Sequence, residues 1–179
     1  MGLQQFLANR KLEELATTDQ LTGLLNRRAM GDILEKELSR ASRNNGTFAL
    51  ILGDLDLFKK VNDTWGHDIG DEVLVETARR LGAQMRAQDA LCRWGGEELL
   101  IMLPETGIEG ALKAAEKLRR VMADTPIATS VHAIPQTISL GVACWHDGED
   151  IDRVIHRADE GLYLAKEQGR NRVATLEQR

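Results

Sequence analysis

The chain has 179 residues, 42% hydrophobic and 28% charged, a mix that suits one globular domain with a sizeable core; aromatics are only 4%, so that core is expected to be aliphatic. A net charge of -5 with acids and bases interspersed excludes the basic face of a nonspecific nucleic-acid binder, but leaves room for a small anion whose charge a cation neutralises. No run approaches the roughly 20 apolar residues of a membrane span, no signal peptide is expected before the fold, and Cys92 and Cys144 sit in apolar runs at no metal-binding spacing. The cysteines therefore read as buried free thiols of a reducing compartment, and the domain as cytoplasmic without membrane contact of its own, in a parent that can be membrane-attached.

In chain order, residues 3–16 read as a helix with Leu3, Phe6, Leu7, Leu12 and Leu15 near one stripe, a linker or partner-contact segment before the domain proper. A turn-rich stretch, Thr18 to Arg27, leads into a helix over 27–43 that Asn44-Asn45-Gly46 ends. Thr47–Leu52 is a compact apolar run, expected as a buried central strand, and 67–82 an amphipathic helix packing Ile69, Val73, Ala78 and Leu81 while Glu72, Glu76 and Arg80 face water. A hairpin follows over 90–103 with Gly95-Gly96 at its tip, then a helix over 108–123, strands over Ile127–Ile134 and Gln136–Ala143, and a last helix over 150–167 stopped near Gly169. A doubly wound parallel sheet needs a helical crossover between successive strands, and the hairpin breaks that rule. The order predicts an α/β (α+β) domain, its mixed, mostly antiparallel sheet flanked by helices.

The chemistry-bearing residues cluster at strand ends. Gly53-Asp54-Leu55-Asp56 closes one apolar strand and Gly96-Glu97-Glu98 opens another, so if the strands are neighbours, Asp54 and Glu97 converge on one hard cation. Alternation sends Asp54 and Asp56 to one side, and where it fails the Leu55 carbonyl becomes an oxygen ligand. The stretch Phe58 to Asp71 offers turn N–H groups and Lys59 for phosphate, Asn62 as donor and acceptor, and Asp71 as a two-oxygen acceptor for paired N–H groups such as guanine N1 and N2. His67 reads as capping or orienting the turn, Trp65 as packing. Arg86 and Asp89, three apart, are expected to share a helix-end face, while Lys166 and Arg170 flank the last helix end, where cations suit both the helix dipole and an incoming phosphate.

Taken together, DQLTGLLNRR, GDLDLFKKVNDTWGHDIGDEVL, RAQD, RWGGEELL, SLGVA and ADEGLYLAKEQGRNRV resemble the GGDEF family of diguanylate cyclases over roughly residues 17–173. The resemblance implies a catalytic domain over 17–179 behind a linker or signalling helix over 1–16, with a five-stranded sheet similar to the palm of polymerases and class III nucleotide cyclases. It implies that two subunits of a transient homodimer each bind one GTP and together make cyclic di-GMP, releasing two pyrophosphates, with an N-terminal sensory or regulatory module in the parent. By position, Asp54, Glu97 and the Leu55 carbonyl match ligands of Mg²⁺ (with Mn²⁺ as an alternative), Glu98 the second motif acid, and Asn62, Asp71 and Leu74 the guanine site. Lys59, Lys166 and Arg170 match phosphate positions, with Phe58 and His67 alongside, and Arg86 and Asp89 match an inhibitory product site that Arg93 assists unless it packs on Glu98. Three residues depart from the family pattern: Leu99 for Phe, Trp94 for Tyr or Phe, and Leu57 for a polar residue. None removes a ligand. A binding module without catalysis, a cyclase with other products and a purely structural output domain remain as alternatives.

Overall fold

A computed structural model describes residues 2–177, with the backbone alone at 13–15, so Leu15 of the expected stripe lies outside the described side chains. The elements are α1 (Leu3–Thr17), α2 (Arg27–Arg43), β1 (Phe48–Leu55), α3 (Phe58–Trp65), α4 (His67–Gly82), β2 (Ala90–Arg93), β3 (Glu98–Pro104), α5 (Ile108–Ala123), β4 (Ile127–Ala128), β5 (Ala133–Ile134), β6 (Ile138–Cys144), α6 (Ile151–Glu167) and β7 (Val173–Thr175). β2, β3, β1, β6 and β7 form one sheet in that order, antiparallel except for the β6–β7 pair. The expected mixed, mostly antiparallel five-stranded architecture is therefore the one observed.

The sheet is buried on both faces, which explains why β1 is apolar without alternation. Ala49 and Ile51 join Val73 and Leu81 of α4 and Ala115, Leu118 and Met122 of α5 on one side. Phe48, Leu50 and Leu52 join Met30 and Leu34 of α2 and Val154, Ala158 and Leu162 of α6 on the other. The N-caps are local: Asn26 and Asp150 each accept a backbone N–H of the first turn, from Ala29 at 2.8 Å and Arg153 at 2.9 Å. The C-terminus of α6 is a Schellman motif, with Arg170 N donating to Ala165 O at 3.0 Å and Gly169 N to Lys166 O at 3.3 Å while Gly169 takes φ +119°.

Four expectations are corrected, and one strand was not expected. β1 runs on to Leu55, because Asp54 pairs with Glu98 on one flank and Ser139 on the other, so both acids of the first cluster belong to the strand or its edge. Residues 58–65 form α3, which Asn62, Asp63 and Thr64, weak helix formers, conceal and Gly66 at φ +91° ends. The run 127–134 is no single strand but a small hairpin, folded back where Thr129 N donates to His132 O at 2.9 Å. Arg80 does not face water: its side chain is 10% exposed and its guanidinium donates to Val121, Thr125 and Pro126 carbonyls at 3.3, 2.6 and 2.9 Å, tying α4 to the end of α5. β7, three residues long, carries too little pattern to be read alone.

On α1, Leu3, Phe6, Leu7 and Leu12 are all exposed. Residues 18–26 form a wide turn laid along the edge strand: Leu25 N donates to Leu91 O at 3.3 Å and Arg93 N to Leu25 O at 3.0 Å. Among the described residues, no helix is long and apolar enough to cross a membrane.

Candidate active site

The β1–β3 pairing does the first job of the site. It sets Asp54 directly opposite Glu98, and beyond them Leu55 N donates to Glu97 O at 3.3 Å, so the two acidic segments meet at one end of the sheet. Trp94 N and Gly95 N both donate to Glu98 O, at 2.8 and 3.3 Å, closing the connection between β2 and β3. Neither Gly95 nor Gly96 has positive φ. A Cβ at Gly95 would stand 3.4 Å from the Glu98 carboxylate, an ordinary contact with the end of a flexible side chain. Arg93 binds neither Glu98 nor Arg86 and Asp89. It reaches Asp19 at 3.3 Å and donates to Gly96 O at 3.0 Å, joining the wide turn to the glycine pair. Trp94, half-buried, stacks under Arg27 with 4.0 Å between guanidinium carbon and ring centre.

The electrostatics at this end are one-sided. Burial, reinforced by the carboxylates of Asp54, Asp159 and Glu97, pushes the Glu98 carboxyl above its ordinary range, against the pull of Lys166. Lys166 Nζ donates to Asp54 Oδ2 at 2.5 Å, so a protein cation already sits on the most buried of these acids. Among the described residues no group of three or more His, Cys, Asp or Glu encloses a metal by itself. The set fits a small hard divalent cation of the kind that takes one or two carboxylates and completes its shell with substrate phosphates. Asp56 belongs elsewhere. It is 8% exposed and accepts from Ser139 Oγ at 2.6 Å, Thr137 Oγ1 at 2.7 Å and Asn171 N at 3.0 Å, so its carboxylate is already engaged within the protein.

A second cluster lies where α3 packs on α4. Asn62 Oδ1 is enclosed and has no hydrogen-bond partner, an acceptor left for a ligand or water. It fits because residue 70 is glycine: a Cβ there would stand 1.9 Å from it. Gly70 is thus a site residue that the helix pattern hid, its signal being a lone glycine in an otherwise regular amphipathic helix. Asp71, exposed, and Leu74, buried, follow on the same helix. Phe58 lies in the core at 7% exposure, which leaves its backbone rather than its ring to meet a substrate. Lys59 is exposed one position into α3, after Leu57, whose φ of +55° turns the chain out of β1. His67 is exposed as the first residue of α4; the cap position belongs to Gly66.

Arg170 is exposed in the loop between α6 and β7, where Gly169, Arg170 and Asn171 take φ of +119°, +65° and +47° in succession. For the two non-glycine residues this costs about 1 kcal/mol each or more. Arg86 and Asp89 are not on a helix; they close a turn between α4 and β2. Asp89 accepts from Arg86 N at 2.8 Å and from Arg86 Nη2 at 2.9 Å, and Arg86 Nη2 also donates to Thr106 Oγ1 at 3.2 Å. The turn borders a cavity of about 290 Å³ reaching Lys117 and Leu118 of α5.

Residues 16–172 match the family model described as diguanylate cyclase, GGDEF domain. The chain is 47% identical over 163 residues to the response regulator PleD of Caulobacter vibrioides, covering 89% of this chain and 36% of that protein. It is 42% identical over 164 residues to the diguanylate cyclase DgcM of Escherichia coli, covering 91% and 39% respectively. The chain thus spans little more than a third of the length of these curated relatives. Among solved structures, the coiled coil and GGDEF domain of DgcB from Caulobacter crescentus, in complex with c-di-GMP, superposes with TM-score 0.90 at 31% identity over 96% of this chain and 91% of that one. SiaD of Pseudomonas aeruginosa, solved with its activator SiaC, gives 0.86 at 40% identity, over 94% and 66%.

Proposed function

This chain belongs to the GGDEF family of diguanylate cyclases, and on that premise we propose that it condenses two GTP into cyclic di-GMP with release of two pyrophosphates, one GTP being held by each subunit of a transient homodimer. The observation that carries the reading is the meeting of Asp54 with the Glu97-Glu98 segment across the β1–β3 pair. Asp54, Glu97 and the Leu55 carbonyl would hold Mg²⁺ or Mn²⁺, which when bound supplies charge neutralisation at the phosphates and Lewis-acid polarisation of the reacting phosphoryl group.

The chain's own residues do the rest. Asn62, with its unpaired acceptor, and Asp71 read the edge of guanine, and Leu74 floors the base pocket. The backbone amides at the start of α3, from Phe58 on, together with Lys59, Lys166 and Arg170, take the phosphate oxygens. Lys166, seated on Asp54, tolerates the approach of a phosphate by exchanging one anion for another. The reacting ribose 3′-OH of one nucleotide attacks the α-phosphorus of the other, and the bond to pyrophosphate breaks. Two such attacks close the ring. A single subunit positions only one reactant, so pairing of subunits turns a collision into near-unimolecular attack. The Arg86–Asp89 turn is the site for inhibitory product, and residues 1–16 link to a regulatory module in the parent.

The test is chromatography of products from GTP and Mg²⁺ over a range of protein concentrations. Cyclic di-GMP formed at a specific rate that climbs with concentration is expected, as is its loss in Glu97→Gln with the fold retained. Absence of the product throughout, or full turnover by Glu97→Gln, contradicts the assignment.

A further inference from the structure

Asp56 has no place in the chemistry described above, yet it is buried and takes three hydrogen bonds. Two come from hydroxyls of the β6 segment, Thr137 and Ser139. The third comes from the backbone N–H of Asn171, in the loop that leaves α6. The backbone around Asp56 is pinned as well: its N–H donates to Thr137 O at 3.0 Å and its carbonyl accepts from Gln136 Nε2 at 2.8 Å. The carboxylate is therefore a fixed post, and the loop is tied to it.

That loop needs a tie. Three consecutive residues, Gly169 to Asn171, have positive φ, and only the first is glycine. On its outer side Asn171 Oδ1 accepts from Arg119 Nη1 of α5 at 3.0 Å; on its inner side Asn171 N is held by Asp56. The same few residues carry Arg170 and follow Lys166, whose ammonium lies on Asp54 two positions before Asp56.

We infer that Asp56 is a positioning residue for triphosphate binding: its carboxylate seats the α6–β7 loop through the Asn171 amide and so holds Arg170 and Lys166 at the Asp54 end of β1. The inference rests on the phosphate role given above to those two cations. A charged acceptor suits the task, because its two oxygens satisfy three donors at once, where an amide offers one acceptor oxygen and sets a second donor against them.

The test compares Asp56→Asn with the unaltered chain in hydrogen exchange, in calorimetric binding of a non-hydrolysable GTP analogue with Mg²⁺, and in competition by guanosine. Exchange over residues 168–172 should quicken about tenfold with β1 and β3 unchanged, and affinity for the analogue should fall about tenfold while that for guanosine holds. In turnover, KM for GTP should rise while kcat at saturation stays close to that of the unaltered chain. Unchanged exchange in the loop overturns the inference. So does a loosened loop with unchanged analogue affinity, or an equal loss for analogue and guanosine. Lys166→Ala and Arg170→Ala are run alongside: if both bind the analogue normally, the phosphate assignment itself has failed, a result distinct from a loop that never moved. Should Asp56→Asn not fold, Ser139→Ala removes one of the three donors and should give the same pattern more weakly.

Discussion

Adding one methyl group at Gly141 is the sharpest perturbation available to the scaffold. Gly141 lies in β6, between Leu52 of β1 and Ala174 of β7, directly beneath α6. A Cβ there would stand 2.0 Å from Ala158 O, 2.1 Å from Leu162 N and 2.8 Å from Gly161 C. All three are backbone atoms, so no side-chain rotation clears them. Carbon contacts open to about 3.5 Å, so α6 would have to lift by more than about 1 Å. Overpacking typically costs 1–3 kcal/mol; with helix backbone as the obstacle, about 3 kcal/mol is expected. In a domain of this size each kcal/mol moves Tm by about 2–4 °C, so Gly141→Ala should melt roughly 6–12 °C lower. Urea denaturation should give the same loss. Gly31, in α2, has nothing within 4 Å of its added Cβ, and Gly31→Ala should gain up to about 1 kcal/mol from helix propensity. A Gly141→Ala protein within 1 kcal/mol of the parent would refute the claim that backbone contact between α6 and β6 sets the spacing.

Asp71→Ala should cut the preference for GTP over ATP by roughly 10–100-fold, the worth of paired hydrogen bonds to a charged acceptor, and that over ITP, which keeps N1–H, by less, read from relative kcat/KM; unchanged ratios would remove Asp71 from base recognition. Arg86→Ala should raise the inhibition constant for cyclic di-GMP by about tenfold or more while initial rates hold, and an unmoved constant would place product elsewhere. The guanidinium of Arg79, with burial opposing and Arg80 assisting, holds the Glu76 carboxyl down at about 2. Its folded value lies below its unfolded one, so this stabilisation is present above about pH 4.5 and is lost as pH falls towards 2. Glu76→Gln should therefore flatten the acid limb of the stability curve by up to about 1 kcal/mol, the solvent around the exposed Arg79 screening the pair; an unchanged limb would show that the pair contributes nothing.

Patterns that repeat were legible in the sequence. The helices at 27–43, 67–82 and 108–123 have the predicted bounds, because an apolar stripe and a capping residue or glycine mark each. The central strand and the hairpin were legible for the same reason, and so was the meeting of Asp54 with Glu97-Glu98 once β1 and β3 were taken as neighbours. What could not be read was reciprocal. Asp56 looks like any strand-end acid until Thr137, Ser139 and Asn171 arrive from more than 80 residues away. Arg80 follows a solvent-face pattern, yet Val121 near the end of α5 and Thr125 and Pro126 just beyond it supply three carbonyls that bury it. Gly70 weakens its helix and is justified by a side chain on another one, Asn62. Each of these residues answers to a partner on another element, and local periodicity holds no record of it.

The wide turn over β2 has a consequence for how copies of the chain can meet. A bare edge strand is a template on which another polypeptide can build ladder hydrogen bonds, and growth by that route tends toward aggregates. Leu25 occupies that template from within, engaging the carbonyl of Leu91 and the amide of Arg93. Association along this flank is thereby left to side chains and not to shared β-structure.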